Sequence, residues 1–180
     1  TGTGSALSFG LINTGGLYSV LATTTATGCV ATMSGTATVT VDPLPTVYTV
    51  TGGGAYCVGG TGVTVGLNSS AVGINYQLFN GSATVGSPVA GTGAAISFGL
   101  QTATGSYTVV ATNATTGCVS NMFGSVSVST NPLPIVFSVT GGGGYCAGGT
   151  GVVVGLSGST VGTTYQLYNG LTLVGAAGGT

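Results

Sequence analysis

Residues 74–81 read INYQLFNG, a short segment in which apolar and polar residues alternate before a turn. Ile74, Tyr76 and Leu78 share one face of an extended chain, because successive side chains of a strand point to opposite sides. Asn80-Gly81 is a strong hairpin signal, since both residues tolerate the positive φ angles of tight two-residue turns. The segment therefore predicts a β-strand with one buried face, followed by a hairpin.

This segment belongs to an internal repeat that covers the chain. Residues 163–170 read TTYQLYNG, at an offset of 163 − 74 = 89 positions. The same offset relates GTGSALSFGL at residues 2–11 to GTGAAISFGL at residues 91–100, and it relates both pairs of cysteines. The 180-residue chain is therefore one unit of 89 residues, read about twice without gaps.

A Pro-Leu-Pro sequence opens each reading of the unit. Prolines cannot donate to a β-ladder and stiffen an extended chain, which suits a joint between domains. We therefore divide the chain into a back half of one unit (residues 1–42), a complete unit (43–131) and a front half of another (132–180). The predicted joint residues are Asp42, Pro43, Pro45, Asn131, Pro132 and Pro134.

Alternating segments in the complete unit predict about seven short strands and no helix. Their number and spacing are typical of an immunoglobulin-like β-sandwich, so we expect an all-β array of such domains in tandem. The predicted strands cover residues 46–51, 62–67, 74–79, a brief return strand after Asn80-Gly81, 95–100, 106–112 and 124–130.

Two equivalent tyrosines stand at the start of a predicted strand. A leucine and then a glycine precede Tyr107, and the same pattern precedes Tyr18. This arrangement resembles the tyrosine corner of immunoglobulin-like sandwiches, in which the hydroxyl bonds back to the upstream backbone. An ordinary core role for both tyrosines explains the pattern equally well.

The composition excludes most catalytic and ionic chemistry. The chain has no Lys, Arg or His, and Asp42 is its one charged residue. Without basic residues it cannot neutralise phosphates, so nucleic acid is not an expected partner. Without His, Lys or a carboxylate pair it lacks the usual general acids and bases, so we do not expect an enzyme.

Cofactors and membrane insertion are not expected either. Asp42 alone cannot supply the oxygen ligands of a Ca²⁺ site. The glycine-rich residues 51–62 lack the lysine of a phosphate-binding loop, and we interpret them as a flexible connection between strands. Gly, Ser and Thr interrupt every apolar run, so no stretch of about 18 apolar residues predicts a membrane span.

The four cysteines favour disulfides over metal binding. They lack the close spacing of zinc ligands, and no histidine accompanies them, so we expect an oxidising, extracellular setting. A Cys57–Cys118 bridge within the complete unit is the simplest expectation, with Cys29 and Cys146 bonded to neighbouring half units. The rival pairing, Cys29–Cys57 with Cys118–Cys146, would link units across the joints.

The two half units are complementary in sequence. If a second copy followed Thr180, its Cys29 would lie 180 + 29 − 146 = 63 residues after Cys146. Within the complete unit, Cys118 lies 118 − 57 = 61 residues after Cys57, so the two separations differ by two. An extra two residues in a glycine-rich loop cost little free energy. The sequence therefore fits either a continuing array of units or separate subunits that complete each other head to tail. Both alternatives give a linear fibre.

The repeated motifs also resemble a known family. YCxGGTGVxVGLxxSxVGxxYQLxNG, SFGLQTATGSYTVVATNATTGC and GSVSVST are similar to repeat domains of giant cell-surface proteins of Bacteroidetes, including gliding adhesins and other proteins exported by the type IX system. The resemblance covers the whole chain. It implies immunoglobulin-like domains in long arrays at the cell surface, and it supplies no catalytic residues.

These observations predict a structural protein of an extracellular fibre or adhesin stalk whose main partner is the protein itself. The alternative is a carbohydrate-binding or adhesion module that acts as discrete domains on a surface or glycan. Such a module would use exposed aromatic residues, and Phe79, Phe123 and Tyr168 are the candidates.

Overall fold

The computed structural model describes residues 2–179, and within this range every regular element is a β-strand. Thr1 and Thr180, the outer bounds of the predicted half units, lie outside the described residues. The strands of residues 2–42 are β1 (Gly16–Tyr18), β2 (Leu21–Thr23), β3 (Val30–Thr32) and β4 (Ala37–Val39). Those of residues 43–131 are β5 (Val50–Gly52), β6 (Gly54–Cys57), β7 (Val63–Leu67), β8 (Ile74–Asn80), β9 (Ala83–Ala90), β10 (Ile96–Gln101), β11 (Gly105–Asn113), β12 (Val119–Asn121) and β13 (Val126–Asn131). Those of residues 132–179 are β14 (Val139–Gly141), β15 (Val154–Leu156), β16 (Thr164–Asn169) and β17 (Thr172–Gly178).

Two sheets form the complete unit. The smaller has the strand order β10-β7-β5, and the larger has the order β6-β13-β11-β8-β9, with β12 also paired to β11. All of these strand pairs are antiparallel except β13 with β6, which is parallel. Side chains of both sheets belong to one core, an arrangement consistent with a β-sandwich. The prediction of an all-β chain is confirmed.

The first strand changes sheets at a run of glycines. β5 pairs with β7 of the smaller sheet, and β6 pairs with β13 of the larger. Between them Gly52, Gly53 and Gly54 have φ angles of 90°, 73° and 125°, a region that residues with a Cβ rarely adopt. We expected a flexible connection here, but the chain forms the strand β6. The glycine turn lets the chain cross from the smaller sheet to the edge of the larger sheet, where β6 pairs with β13.

The core follows the alternation seen in the sequence. Ile74, Tyr76 and Leu78 of β8 are buried, as are Tyr107 and Val109 of β11. The Tyr76 hydroxyl accepts a hydrogen bond from the Ala71 N–H at 2.9 Å. Burial raises the pKa of the Tyr76 phenol above its usual value, because the charged phenolate would lose its hydration.

The half units repeat the local strand pairings of the complete unit without its sheets. β1 and β4 pair Gly16 with Val39, and β11 and β13 pair Gly105 with Val128, one repeat later. Likewise β14 and β15 pair Val139 with Leu156. In residues 2–42 and 132–179, however, only two-stranded ribbons form, and no described residue is buried. Local pairing therefore survives in the half units, but core formation does not.

The N-terminal half unit lacks the counterpart of β10, because it lacks the strand with which β10 pairs. Residues 7–12 correspond to β10, yet they form no strand. In the complete unit β10 pairs with β7, and the counterpart of β7 is β15, which lies in the C-terminal half. A strand whose backbone groups lack a ladder partner is not a stable element.

Replacing Tyr76 with Phe tests the buried phenol. We expect Y76F to lower the free energy of unfolding at neutral pH by about 1 kcal/mol, because the Ala71 N–H loses its acceptor. The raised pKa means that the folded state keeps the phenol proton longer than the unfolded state. Its contribution is therefore present below about pH 10 and is lost as the pH rises through the folded-state pKa. Y76F should weaken the loss of stability at alkaline pH, measured by chemical denaturation across a pH series.

The exposed Tyr145 supplies the matched control, since Y145F removes an equivalent hydroxyl that is not buried. An equal alkaline loss of stability in Y76F and in the unchanged protein would contradict this prediction.

Candidate functional site

The two tyrosines singled out in the sequence make the same hydrogen bond. The Tyr107 hydroxyl donates to the Ala103 carbonyl at 2.7 Å, and the Tyr18 hydroxyl donates to the Thr14 carbonyl at 2.7 Å. Each bond reaches four residues upstream, the form expected of a tyrosine corner. Tyr107 is fully buried, whereas Tyr18 is half-buried. The hydrogen bond of the tyrosine is thus already formed in the N-terminal half unit, but no second layer of side chains buries the Tyr18 ring.

An open groove of about 740 Å³ lies along the N-terminal half unit. Its larger apolar lining residues are Phe9, Ile12, Tyr18, Val20, Leu21, Met33 and Val39. Most of their counterparts 89 residues later are in the core of the complete unit or packed against it. The two exceptions are Gln101, which replaces Ile12 and is itself buried, and Val110, which replaces Leu21 and is half-buried outside the core. The groove is therefore one unfilled side of a core.

A second groove, of about 620 Å³, lies along the C-terminal half unit. Its larger apolar lining residues are Val139, Val154, Leu156, Tyr165 and Leu167. Their counterparts, 89 residues earlier, are Val50, Val65, Leu67, Tyr76 and Leu78, and all are buried. The second groove is the other unfilled side of the same kind of core.

Exposure values show what the half units lack. Val109 is 1% exposed, whereas its counterpart Val20 is 37% exposed. Leu78 is 0% exposed, whereas its counterpart Leu167 is 42% exposed. Burial of a Val or Leu side chain contributes roughly 1.5–3 kcal/mol. Each of these side chains would contribute free energy of this order if its groove were covered.

The strands that line the two grooves correspond to two strands that pair at the centre of the larger sheet of the complete unit. In the complete unit β11 pairs with β8, with Val109 opposite Leu78 and Ala111 opposite Tyr76. The counterpart of β11 lies in the N-terminal half, as β1 and β2, and the counterpart of β8 lies in the C-terminal half, as β16. The complete unit thus gives the register in which one half unit would cover the other.

The structure places the predicted joint residues at the two ends of the complete unit. Pro45 is buried, while Pro132 and Pro134 are exposed. Asp42 directs its backbone carbonyl toward the Cys118 sulfur at 3.9 Å, at the end where β11 finishes. Asn131 ends β13 opposite Cys57, at the other end of the sheet.

The structure does not bring Cys57 and Cys118 together, and all four cysteines are free thiols. Cys57 lies beyond the start of β11, because β13 pairs Val128 with Gly105 and runs on to Asn131. Cys118 lies beyond its end. The nine residues of β11 span about 30 Å, whereas a disulfide requires a Cα–Cα distance below about 7 Å. The expected bridge within the unit does not fit this fold.

The polar residues offer little chemistry to a ligand. No group of three His, Cys, Asp or Glu residues that could hold a metal occurs in the described part of the chain. Residues 2–179 also leave no buried side-chain nitrogen or oxygen without a hydrogen-bond partner. Of the three candidate aromatic residues, Phe123 and Tyr168 are exposed and Phe79 is half-buried. The grooves, which sequence reasoning did not single out, are the most distinctive feature of the surface.

Comparisons with known proteins add no family to this description. The chain matches no protein-family model, and no curated protein is significantly similar to it. Across residues 2–179 no helix has the length and apolar character needed to cross a bilayer.

Hydrogen exchange can compare the half units with the complete unit. In chains kept monomeric by dilution, we expect the amides of β8 and β11 to exchange only through global unfolding. The amides of β2 and β16 should exchange almost as fast as those of an unstructured peptide, because no core protects them. Mass spectrometry of the exchanged peptides measures both. Equal protection of β2 and β11 in the monomer would contradict the difference.

Proposed function

We propose that this protein is a structural component of an extracellular fibre, built from immunoglobulin-like domains that associate end to end. The observation that carries the proposal is the pair of apolar grooves, whose lining residues correspond to the two sides of one buried core. In the proposed assembly, the C-terminal half unit of one copy covers the N-terminal half unit of the next. Each contact forms another domain like residues 43–131.

The strand order supports an immunoglobulin-like assignment for this domain. Such sandwiches place the first, second and fifth strands in one sheet and the third, sixth and seventh in the other. Here the smaller sheet contains β5, β7 and β10, and the larger contains β8, β11 and β13. β9 is an additional strand at the edge of the larger sheet, as in variable-type domains.

The proposed contact would produce a filament. The two grooves belong to different segments of the chain, so the contact between copies is heterologous, and such contacts continue indefinitely unless they close a ring. Strand lengths suggest about 40 Å along the fibre for each domain. Each added copy contributes one complete domain and completes another, which gives an axial repeat of about 80 Å.

Composition and resemblance support an extracellular location and a passive role. The cysteines lack the spacing and the histidine partners of a zinc site, which favours disulfides, and disulfides form in oxidising compartments. The repeat motifs are similar to those of bacterial surface arrays. Without Lys, Arg or His, the chain has few groups for catalysis or for binding phosphates. The partner that fits its surface best is another copy of itself.

Two leucines in the C-terminal half unit test the proposed contact. Leu167 corresponds to the buried Leu78, whereas the fully exposed Leu171 corresponds to the exposed Ser82. We expect L167D to weaken association at least about 100-fold, because burying an unpaired carboxylate costs several kcal/mol. L171D should assemble like the unchanged protein, as judged by sedimentation velocity and electron microscopy.

The N-terminal half unit offers an equivalent pair. V20D should block assembly, and L17D should not, because Leu17 corresponds to the exposed Ser106. Equal assembly of L167D and L171D, or a persistent monomer of the unchanged protein, would argue against the fibre and for discrete adhesion modules.

The lack of charge predicts an assembly insensitive to ionic conditions. Asp42 is the one charged side chain, so salt has almost no ion pairs to screen. We expect the extent of assembly, measured by light scattering, to stay within about twofold between about pH 5 and pH 9 and up to about 1 M NaCl. Dissociation in mild acid or in molar salt would show that other forces hold the copies together.

A further inference from the structure

Each end of the complete unit carries one cysteine against a domain joint. At one end the Cys118 sulfur lies 3.9 Å from the Asp42 carbonyl oxygen. At the other end Cys57 pairs with Asn131 in the parallel ladder between β6 and β13, and the N–H of Val58 donates to the Asn131 carbonyl at 2.9 Å. Both thiols are free, and Cys57 is exposed.

The two joints are equivalent positions of the repeat, because Asp42 and Asn131 are 131 − 42 = 89 residues apart. Each joint should therefore be contacted from both sides. The unit that follows a joint brings a cysteine equivalent to Cys118, and the unit that precedes it brings a cysteine equivalent to Cys57. In the described chain each joint has only one of the two.

The missing cysteine of each joint lies in a half unit. At Asp42 the preceding unit would contribute Cys146, which corresponds to Cys57. At Asn131 the following unit would contribute Cys29, which corresponds to Cys118. If the half units of two copies dock in the register of the complete unit, Cys146 of one copy stands opposite Asp42 of the next. The cysteine that already contacts Asp42 is Cys118.

We propose that two disulfides between copies lock each docked domain, one at each joint that flanks it. Cys146 of one copy bonds to Cys118 of the next, and Cys57 of the first copy bonds to Cys29 of the second. This inference rests on the proposed end-to-end association. The proposed bonds pair the same positions as the rival pattern, Cys29 with Cys57 and Cys118 with Cys146, but they join two copies of the chain. Each bond crosses a Pro-Leu-Pro joint.

The bond can form by ordinary thiol–disulfide exchange. The Cys118 thiolate attacks a small-molecule disulfide, forms a mixed disulfide and releases one small thiol. The Cys146 thiolate then attacks the Cys118 sulfur and displaces the second small thiol. Two protein thiols are thereby oxidised to one disulfide, and one molecule of the external disulfide is reduced to two thiols that carry the two protons.

The first experiment maps the bonds in the unchanged chain of residues 1–180. Equal amounts of ¹⁵N-labelled and unlabelled chain are assembled with oxidised glutathione and digested with chymotrypsin without reduction. We expect disulfide-linked peptides that join Cys118 to Cys146 and Cys29 to Cys57, about half of them with one labelled and one unlabelled partner. Linked peptides that join Cys57 to Cys118 without label mixing would overturn the proposal.

Two double variants, each lacking two cysteines, provide the matched comparison. C29S/C57S keeps the Cys118–Cys146 bond and should still give a ladder of multimers on a non-reducing denaturing gel. C57S/C118S loses one partner of each bond and should give none. A bridge within the unit predicts the reverse, because only Cys29 and Cys146 would then link copies.

Electron microscopy of the same samples separates this inference from the proposed function. Filaments without a ladder in the unchanged protein would refute the disulfides and leave the end-to-end association standing. A monomer in every sample, with or without oxidant, would refute both.

Discussion

The pairing of β8 with β11 is the contact on which the remaining structure depends. It sets Leu78 opposite Val109 and Tyr76 opposite Ala111 at the centre of the larger sheet, and these side chains form the part of the core that the smaller sheet covers. The half units contain both of these strands in equivalent form, but in separate segments. Each half therefore keeps its local strand pairs and leaves its apolar face open.

Ion pairs between side chains do not hold the complete unit together, because Asp42 is the one charged side chain of the sequence. Hydrogen bonds from uncharged side chains satisfy its buried polar groups: Ser70 donates to the Ala94 carbonyl, and Tyr107 donates to the Ala103 carbonyl. The buried Tyr76 hydroxyl accepts from the backbone of Ala71. A core of this kind relies on apolar area and backbone geometry, which change little with salt or moderate pH. That property would suit the proposed extracellular fibre.

In the proposed fibre, the proposed disulfides would place covalent bonds at the joints between domains. Pro-Leu-Pro limits the conformations of each joint, but a short proline segment alone does not prevent bending. A bond from Cys118 to a neighbouring copy would fix the joint at Asp42 from its other side. Force along the fibre would then pass through disulfides as well as through the β-ladders of the docked domain.

The sequence predicted the strands of the complete unit well where a strand has one buried face. The alternation in INYQLF predicted β8. For Tyr107 and Tyr18 the sequence left a tyrosine corner and an ordinary core role open, and the hydrogen bonds to Ala103 and Thr14 have the form of the corner. It did not predict that the first strand crosses between sheets at Gly52–Gly54, because a run of glycines is compatible with both a loop and a sharp crossing. It also did not predict the positions of the cysteines, since spacing along the chain does not reveal which end of a sheet a residue occupies.

By itself, the sequence determined the all-β composition, the repeat of 89 residues and the near absence of charge, because these follow from residue types and their order. The tertiary structure decided which faces are buried and which remain open. Residues 7–12 and β10 share the sequence SFGL, yet only β10 is a strand, because β7 lies beside it. A strand forms only where a neighbouring strand can accept and donate its backbone hydrogen bonds, and the tertiary fold decides which segments become neighbours.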